Sequence, residues 1–173
     1  MSVDLGFDTE KLGSLINKVK EDPAAGKTVW SANTRWERGF RSAAIIRSHT
    51  VPMDEPTQLG GSDTAPNMVE VVLGAYGCCL TTGFVANAAM MGIELEGVDI
   101  SLEGDLDLRA FFGLKPPQEV SPGYTEVRAM VKLTAPTATE EQLKQLYEAV
   151  VPTSPVGSII ERPVKVVTEL QSG

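Results

Sequence analysis

The apolar positions of this chain change period several times, and each change marks an element. Leu5, Leu12, Leu15, Ile16 and Val19 fall at near-helical spacing, which predicts a short amphipathic helix broken by Asp22 and Pro23. From Thr28 to Ile46 β-favouring residues take over. Val29, Trp30 and Trp36 lie before a break near Glu37 to Gly39, and Phe40, Ala44, Ile45 and Ile46 after it, the pattern of an antiparallel hairpin. Asp54 to Pro66 is dense in Pro, Gly, Asp and Thr and reads as a loop ending in helix-start signals. Even spacing of Ile100, Leu102, Leu106 and Leu108 predicts a strand from Val98 to Leu108. A loop around Lys115 to Pro122 leads to a second strand, Tyr124 to Leu133, where Val127, Ala129, Val131 and Leu133 alternate with polar or longer residues. Thr139 and Gln142 form a capping-box signature for a helix to about Val150, which Pro152 ends. Ser154 and Pro155 then suggest the cap and first residue of a short helix, and a final strand is expected over Pro163 to Leu170.

Asn67 to Met91 follows neither simple pattern, because its apolar and small residues surround the helix on every side. A helix that is apolar all round must be covered all round. At roughly 35 Å long it exceeds what one sheet and one or two further helices can bury, so two copies packed about this helix are expected. Gly74, Ala75, Gly77, Gly83, Ala86, Ala88 and Ala89 would permit a close helix approach.

Length and composition narrow the possibilities. The 173 residues, 42% of them hydrophobic, suit one globular domain, with a peripheral helix in 1–27, a hairpin and loop in 28–65, and the central helix, strands and C-terminal helix in 66–173. Fifteen basic against twenty-three acidic residues give a net charge of −8, which disfavours nucleic acid and anionic membranes as partners. Val71 to Ile93 is uncharged, yet Thr81, Thr82 and Asn87 and the lack of a basic flank argue against a membrane span. The acidic start MSVDLGFDTEKLG has no apolar run of the secretory type, so a cytoplasmic protein is expected.

Candidate chemistry is scarce. One histidine, His49, and two adjacent cysteines, Cys78 and Cys79, exclude a two-histidine zinc site and a CxxC redox pair within one chain, and no cofactor or metal is expected. A bond between Cys78 and Cys79 would close a strained ring and cross-link nothing. No GxSxG turn accompanies His49, so a serine-histidine triad lacks support. Asp54 and Glu55 diverge in an extended loop and fit turn chemistry better than paired acid-base work. Gly60 and Gly61 lack the lysine and spacing of a phosphate loop.

The run DEPTQLGGSDTAPNMVEVVLGAYGCCLTTGFVANAAMMGIEL, followed downstream by SPVGSIIERPVKV, resembles the OsmC-like family, which includes the organic hydroperoxide resistance proteins. The likeness spans roughly Trp36 to Val167. It implies an α+β subunit with an antiparallel sheet wrapped on central helices, assembled as an intertwined homodimer. It also implies thiol-dependent reduction of organic hydroperoxides. By the motif, Cys79 takes the place of the reactive cysteine, because it precedes Leu80, and Cys78 falls where a small residue is usual. The second, resolving cysteine corresponds to Ser154. A hydroxyl cannot attack a sulfenic acid to form a disulfide, so the implied cycle uses one cysteine and an external thiol or dithiol.

The family's peroxidases carry a glutamate ten residues before the cysteine, where this chain has Val69. Glu70 lies nine before Cys79, which on a helix points to the opposite face, and its charge would favour the helix N-terminus. A peroxidatic thiolate needs a nearby cation. The family draws an arginine from the N-terminal strands, and among Arg35, Arg38, Arg41 and Arg47 the expected partner is Arg38 or Arg41. Two readings stay open: a one-cysteine hydroperoxide reductase, and a noncatalytic dimer that binds a small hydrophobic ligand or serves a structural role.

Overall fold

The computed structural model describes residues 4–171; Met1 to Val3, on which the targeting expectation partly rests, lie outside the described residues. Short-range capping signals set most element ends. The first helix, α1 (Thr9–Glu21), is capped by Asp8, whose carboxylate accepts the Lys11 amide at 2.8 Å, and it buries no residue, as a peripheral helix should. Helix α4 (Glu140–Val150) carries the full capping box of Thr139 and Gln142, and α5 (Pro155–Glu161) starts at Ser154 with Pro155 in its first turn. The central helix α2 (Met68–Met91) matches its predicted span.

Contacts divide the chain into two compact units. One comprises Gly6–Gly74 and Leu102–Arg128. Its sheet has three antiparallel strands in the order β1 (Asn33–Arg38), β2 (Arg41–Ile46), β3 (His49–Met53), where a two-stranded hairpin was expected. The extra strand contains Pro52, a residue that lacks the N–H of a ladder donor and so gives a poor strand signal. Pro52 pairs with Ala43 on an edge strand, where its missing N–H costs no ladder bond. The sheet also starts later than predicted, leaving Val29 and Trp30 exposed before β1.

The loop after β3 is organised by Asp54, which is fully buried. One carboxylate oxygen accepts the Glu55 amide at 2.8 Å; the other accepts the Ser62 amide, the Thr64 amide and the Thr64 hydroxyl at 3.2, 3.1 and 2.8 Å. Burial pushes the Asp54 pKa up, but these bonds, those from Thr64 foremost, outweigh it and hold the group below the ordinary aspartate value. The ionised carboxylate therefore stabilises the fold above the unfolded-state pKa of about 3.9, and that contribution disappears as pH falls through the folded value. Acid unfolding followed by circular dichroism should begin below about pH 4, and Asp54→Asn should lower Tm and flatten the acid limb. An unchanged acid limb in the variant would exclude this role.

The same loop depends on Gly61. A Cβ there would lie 1.8 Å from the Glu55 carbonyl oxygen, a backbone atom that cannot rotate away. Gly61→Ala should cost on the order of 3 kcal/mol, read as a lower urea midpoint.

The second unit is built on Ala75–Ser101 and the chain after Ala129. Its core is a cluster of Leu80, Phe84, Ala88, Ile93, Ala135, Leu146 and Val150, with Val98, Ile100, Val131 and Leu133 packed against it. Strands β4 (Gly97–Leu106) and β5 (Tyr124–Thr134) form a two-stranded sheet. They run in opposite directions, since Thr125 bonds to the Asp105 carbonyl and the Glu96 amide to the Thr134 carbonyl. Inward Val98, Ile100, Leu102 and Leu106 alternate with exposed Asp99, Ser101, Glu103 and Asp105, as period two requires.

Two differences from expectation remain. Strand β4 ends before Leu108, where Asp107 caps a single helical turn, α3 (Leu108–Phe111). Pro163 to Leu170 forms no strand, and Val164, Val166, Val167 and Leu170 are exposed. A strand is held by its neighbour's backbone, and among the described residues no partner strand reaches this segment.

Candidate functional site

The site forms where α2 meets the turn between α4 and α5. Cys79 lies midway along α2, one helical turn after Tyr76. The Ser154 hydroxyl donates to Cys79 Sγ at 3.2 Å, and Ser154 is only 5% exposed. Ser154 is also the N-cap of α5, and its oxygen accepts the Gly157 amide at 3.1 Å. Because that amide occupies an acceptor position, the single hydroxyl proton is free to point at sulfur. Cap chemistry and site chemistry thus share one oxygen, joining residues far apart in the chain.

Glycines make the approach possible. A Cβ at Gly157 would lie 3.0 Å from the Tyr76 ring and 3.3 Å from Ser154 Oγ, so the Tyr76 ring and the capped turn fit together only around hydrogen. A Cβ at Gly83 would lie 2.7 Å from Val150 Cγ1, which sets how closely α2 and α4 pack. Burial first, then the charges of Glu161, Tyr147 and Cys79, push the Tyr76 phenol up, so this hydroxyl stays protonated at neutral pH.

Beside the sulfur lies an open cavity of ≈ 320 Å³, lined by Cys79, Thr82, Gly83, Ala86, Val150 and Thr153 among others. Its walls are mainly apolar. A small molecule entering it meets sulfur at the wall and the Ser154 hydroxyl next to it.

The other predicted residues separate clearly. Cys78 is exposed and Cys79 half-buried, and both are free thiols. Exposed Cys78 shares the outward face of α2 with Ala75 and Thr82, at i, i+3 and i+7. Glu70 is taken up by the helix start: its carboxylate accepts the Asn67 amide at 2.9 Å while the Asn67 side chain accepts the Glu70 amide at 2.9 Å. That is a reciprocal cap, consistent with the N-terminal preference expected for its charge. Arg38 and Arg41 stand on the strands of the other unit, both exposed; Arg41 is paired with Glu37 at 3.0 Å. Among the described residues Arg38 has no ion pair. His49 is exposed at the start of β3.

Tyr76, Gly83, Val150 and Thr153 were not read from the sequence as site residues. Tyr76 had a weak signal, being three positions before Cys79 on the same helix. Gly83 had a signal only as one of the small residues that permit a close helix approach, and Val150 had none, because their contact exists only once α2 and α4 pack.

Comparison with known proteins gives a consistent outcome. The family described as OsmC-like protein matches residues 60–169. No curated protein matches the chain by sequence. Among solved structures, an OsmC-like protein from Mycoplasma pneumoniae superposes with a TM-score of 0.66 at 12% identity, covering 78% of this chain and 89% of that one. The organic hydroperoxide resistance protein OsmC from Legionella pneumophila gives 0.55 at 16% identity, covering 78% and 91%. An organic hydroperoxide resistance protein from Elizabethkingia anophelis, with thiocyanate bound, gives 0.54 at 15%, covering 76% and 89%. These likenesses establish a shared α+β fold.

Proposed function

The chain belongs to the OsmC-like family, and from that premise we propose that it reduces organic hydroperoxides through Cys79 in a one-cysteine cycle. The observation that carries this reading is the Ser154 hydroxyl donating to Cys79 Sγ at 3.2 Å on the wall of an open, mainly apolar cavity. A donor aimed at sulfur stabilises negative charge there, and the apolar walls suit the organic part of the substrate. The names of the Legionella and Elizabethkingia relatives support the same substrate class.

In this cycle the Cys79 thiolate attacks the terminal peroxide oxygen and the O–O bond breaks. The organic oxygen takes a proton and leaves as an alcohol. Sulfur, oxidised by two electrons, becomes a sulfenic acid. With serine at 154, an external thiol displaces water to give a mixed disulfide, and a second thiol restores Cys79 and departs as disulfide. Arg38 is the better candidate for the accompanying cation, since Glu37 already engages Arg41. The test is steady-state consumption of an alkyl hydroperoxide with a dithiol reductant, comparing wild type with Cys79→Ser.

We also propose that the working form is a cytoplasmic homodimer, with the whole chain acting as one OsmC-like domain. Met68, Val72, Met90 and Met91 on α2 are exposed in the single chain, as are Trp30, Trp36 and the unpaired Pro163 to Leu170 segment. Apolar surface on this scale calls for a partner copy. Sedimentation should give twice the 18.5 kDa chain mass; a monomer at micromolar concentration would remove the proposal. The serine at 154 favours a second reading, a noncatalytic dimer holding a hydrophobic ligand, which equal peroxide rates in wild type and Cys79→Ser would select.

A further inference from the structure

The unit that lacks Cys79 contains a separate cavity of ≈ 180 Å³, lined by Glu55, Met68, Val69, Leu106, Leu108 and Phe111 among others. An apolar cavity of about 150 Å³ holds a benzene molecule, so this one has room for a ring and one small substituent. Its lining carries one charged group. Glu55 is only 9% exposed, and its Oε2 accepts the Asn67 side-chain amide at 3.2 Å. Among the described residues no hydrogen bond reaches Oε1, yet no fully buried side-chain oxygen lacks a partner, so Oε1 keeps some exposed surface on a residue that lines the cavity. Among the described residues no basic side chain lines the cavity. A largely buried carboxylate with one oxygen unbonded, in an otherwise mainly apolar lining and a chain of net charge −8, favours a cation with hydrogen-bond donors.

We propose that this cavity binds a small protonated amine with an apolar body, its ammonium on Glu55 Oε1 and its hydrocarbon against Met68, Leu106, Leu108 and Phe111. The site is independent of the peroxide chemistry, since Cys79 and Ser154 take no part in it. A bare hydrocarbon would leave Oε1 unpaired, and a carboxylic acid would place a second negative charge beside it.

The experiment is calorimetric titration of the full chain at pH 7 with benzylamine, toluene and benzoate. Benzylamine should bind, benzoate should not, and toluene should bind at least about tenfold more weakly, the loss of one charge-assisted hydrogen bond. Glu55→Gln should weaken benzylamine about tenfold or more and leave toluene unchanged. Should that variant fold poorly, Leu108→Trp on the cavity rim provides a second arm: it should abolish benzylamine binding by filling the space. No benzylamine binding at millimolar concentration, equal affinity for toluene and benzylamine, or binding that survives Leu108→Trp would each overturn the proposal.

Discussion

Cys79→Ser should bring alkyl hydroperoxide consumption down to the uncatalysed rate, a loss of about a thousandfold or more. The hydroxyl that replaces the thiol is the same in charge and nearly the same in shape, so packing against Ser154 and the cavity walls survives. What goes is a nucleophile able to hold negative charge at neutral pH and to accept an oxygen atom. Thermal unfolding of the variant should therefore match wild type within about 1 kcal/mol, which separates a chemical loss from a folding loss. Cys78→Ser provides the contrast. Cys78 is exposed on α2 while the Ser154 hydroxyl bonds to Cys79, and replacing Cys78 should leave the rate within about twofold of wild type. If the two variants were equally impaired, or neither were, the assignment of Cys79 as the reacting group would fall.

Ser154→Cys should convert the one-cysteine cycle into a two-cysteine cycle. Side-chain heavy atoms at 79 and 154 already sit 3.2 Å apart, and a disulfide closes at about 2.05 Å. After one equivalent of hydroperoxide, the variant should lose both free thiols at these positions to an intramolecular disulfide. Wild type should instead yield a sulfenic acid that dimedone traps. The substitution removes a serine N-cap from α5, at a cost of about 1 kcal/mol. Ser154→Ala serves as the control: it carries the same cap penalty, forms no disulfide, and removes the donor from sulfur, so its rate should fall about tenfold. Retention of a dimedone-reactive sulfenic acid in Ser154→Cys would show that position 154 cannot resolve Cys79.

Much of this arrangement was legible residue by residue. Helix α2, the capping box at Thr139 and the Ser-Pro start of α5 follow from bonds between groups within a few positions of each other, and such bonds are written in local order. The alternation in β4 is equally local, because successive side chains on a strand must face opposite ways. Local reading failed where a neighbour decides the outcome. Pro52 sits in an edge strand because β2 pairs with it on one side only, and Pro163 to Leu170 forms no strand because among the described residues no other strand pairs with it. Glu70, legible as an acidic residue near a helix start, became a reciprocal cap once Asn67 adopted the capping geometry.

For the site, the amino-acid order determined that Cys79 is the candidate nucleophile, that position 154 holds serine, and that serine caps a short helix. Only the tertiary structure decided that the capping hydroxyl is the group touching the sulfur, 75 positions away in sequence. The close approaches of Gly83 to Val150 and of Gly157 to Tyr76 carry the same lesson, as does the burial of Asp54 beneath its own loop. A sequence specifies which groups can donate, accept or fit. Whether they meet depends on the packing of elements that are distant along the chain, and the close-packed interior leaves each such meeting little room to shift.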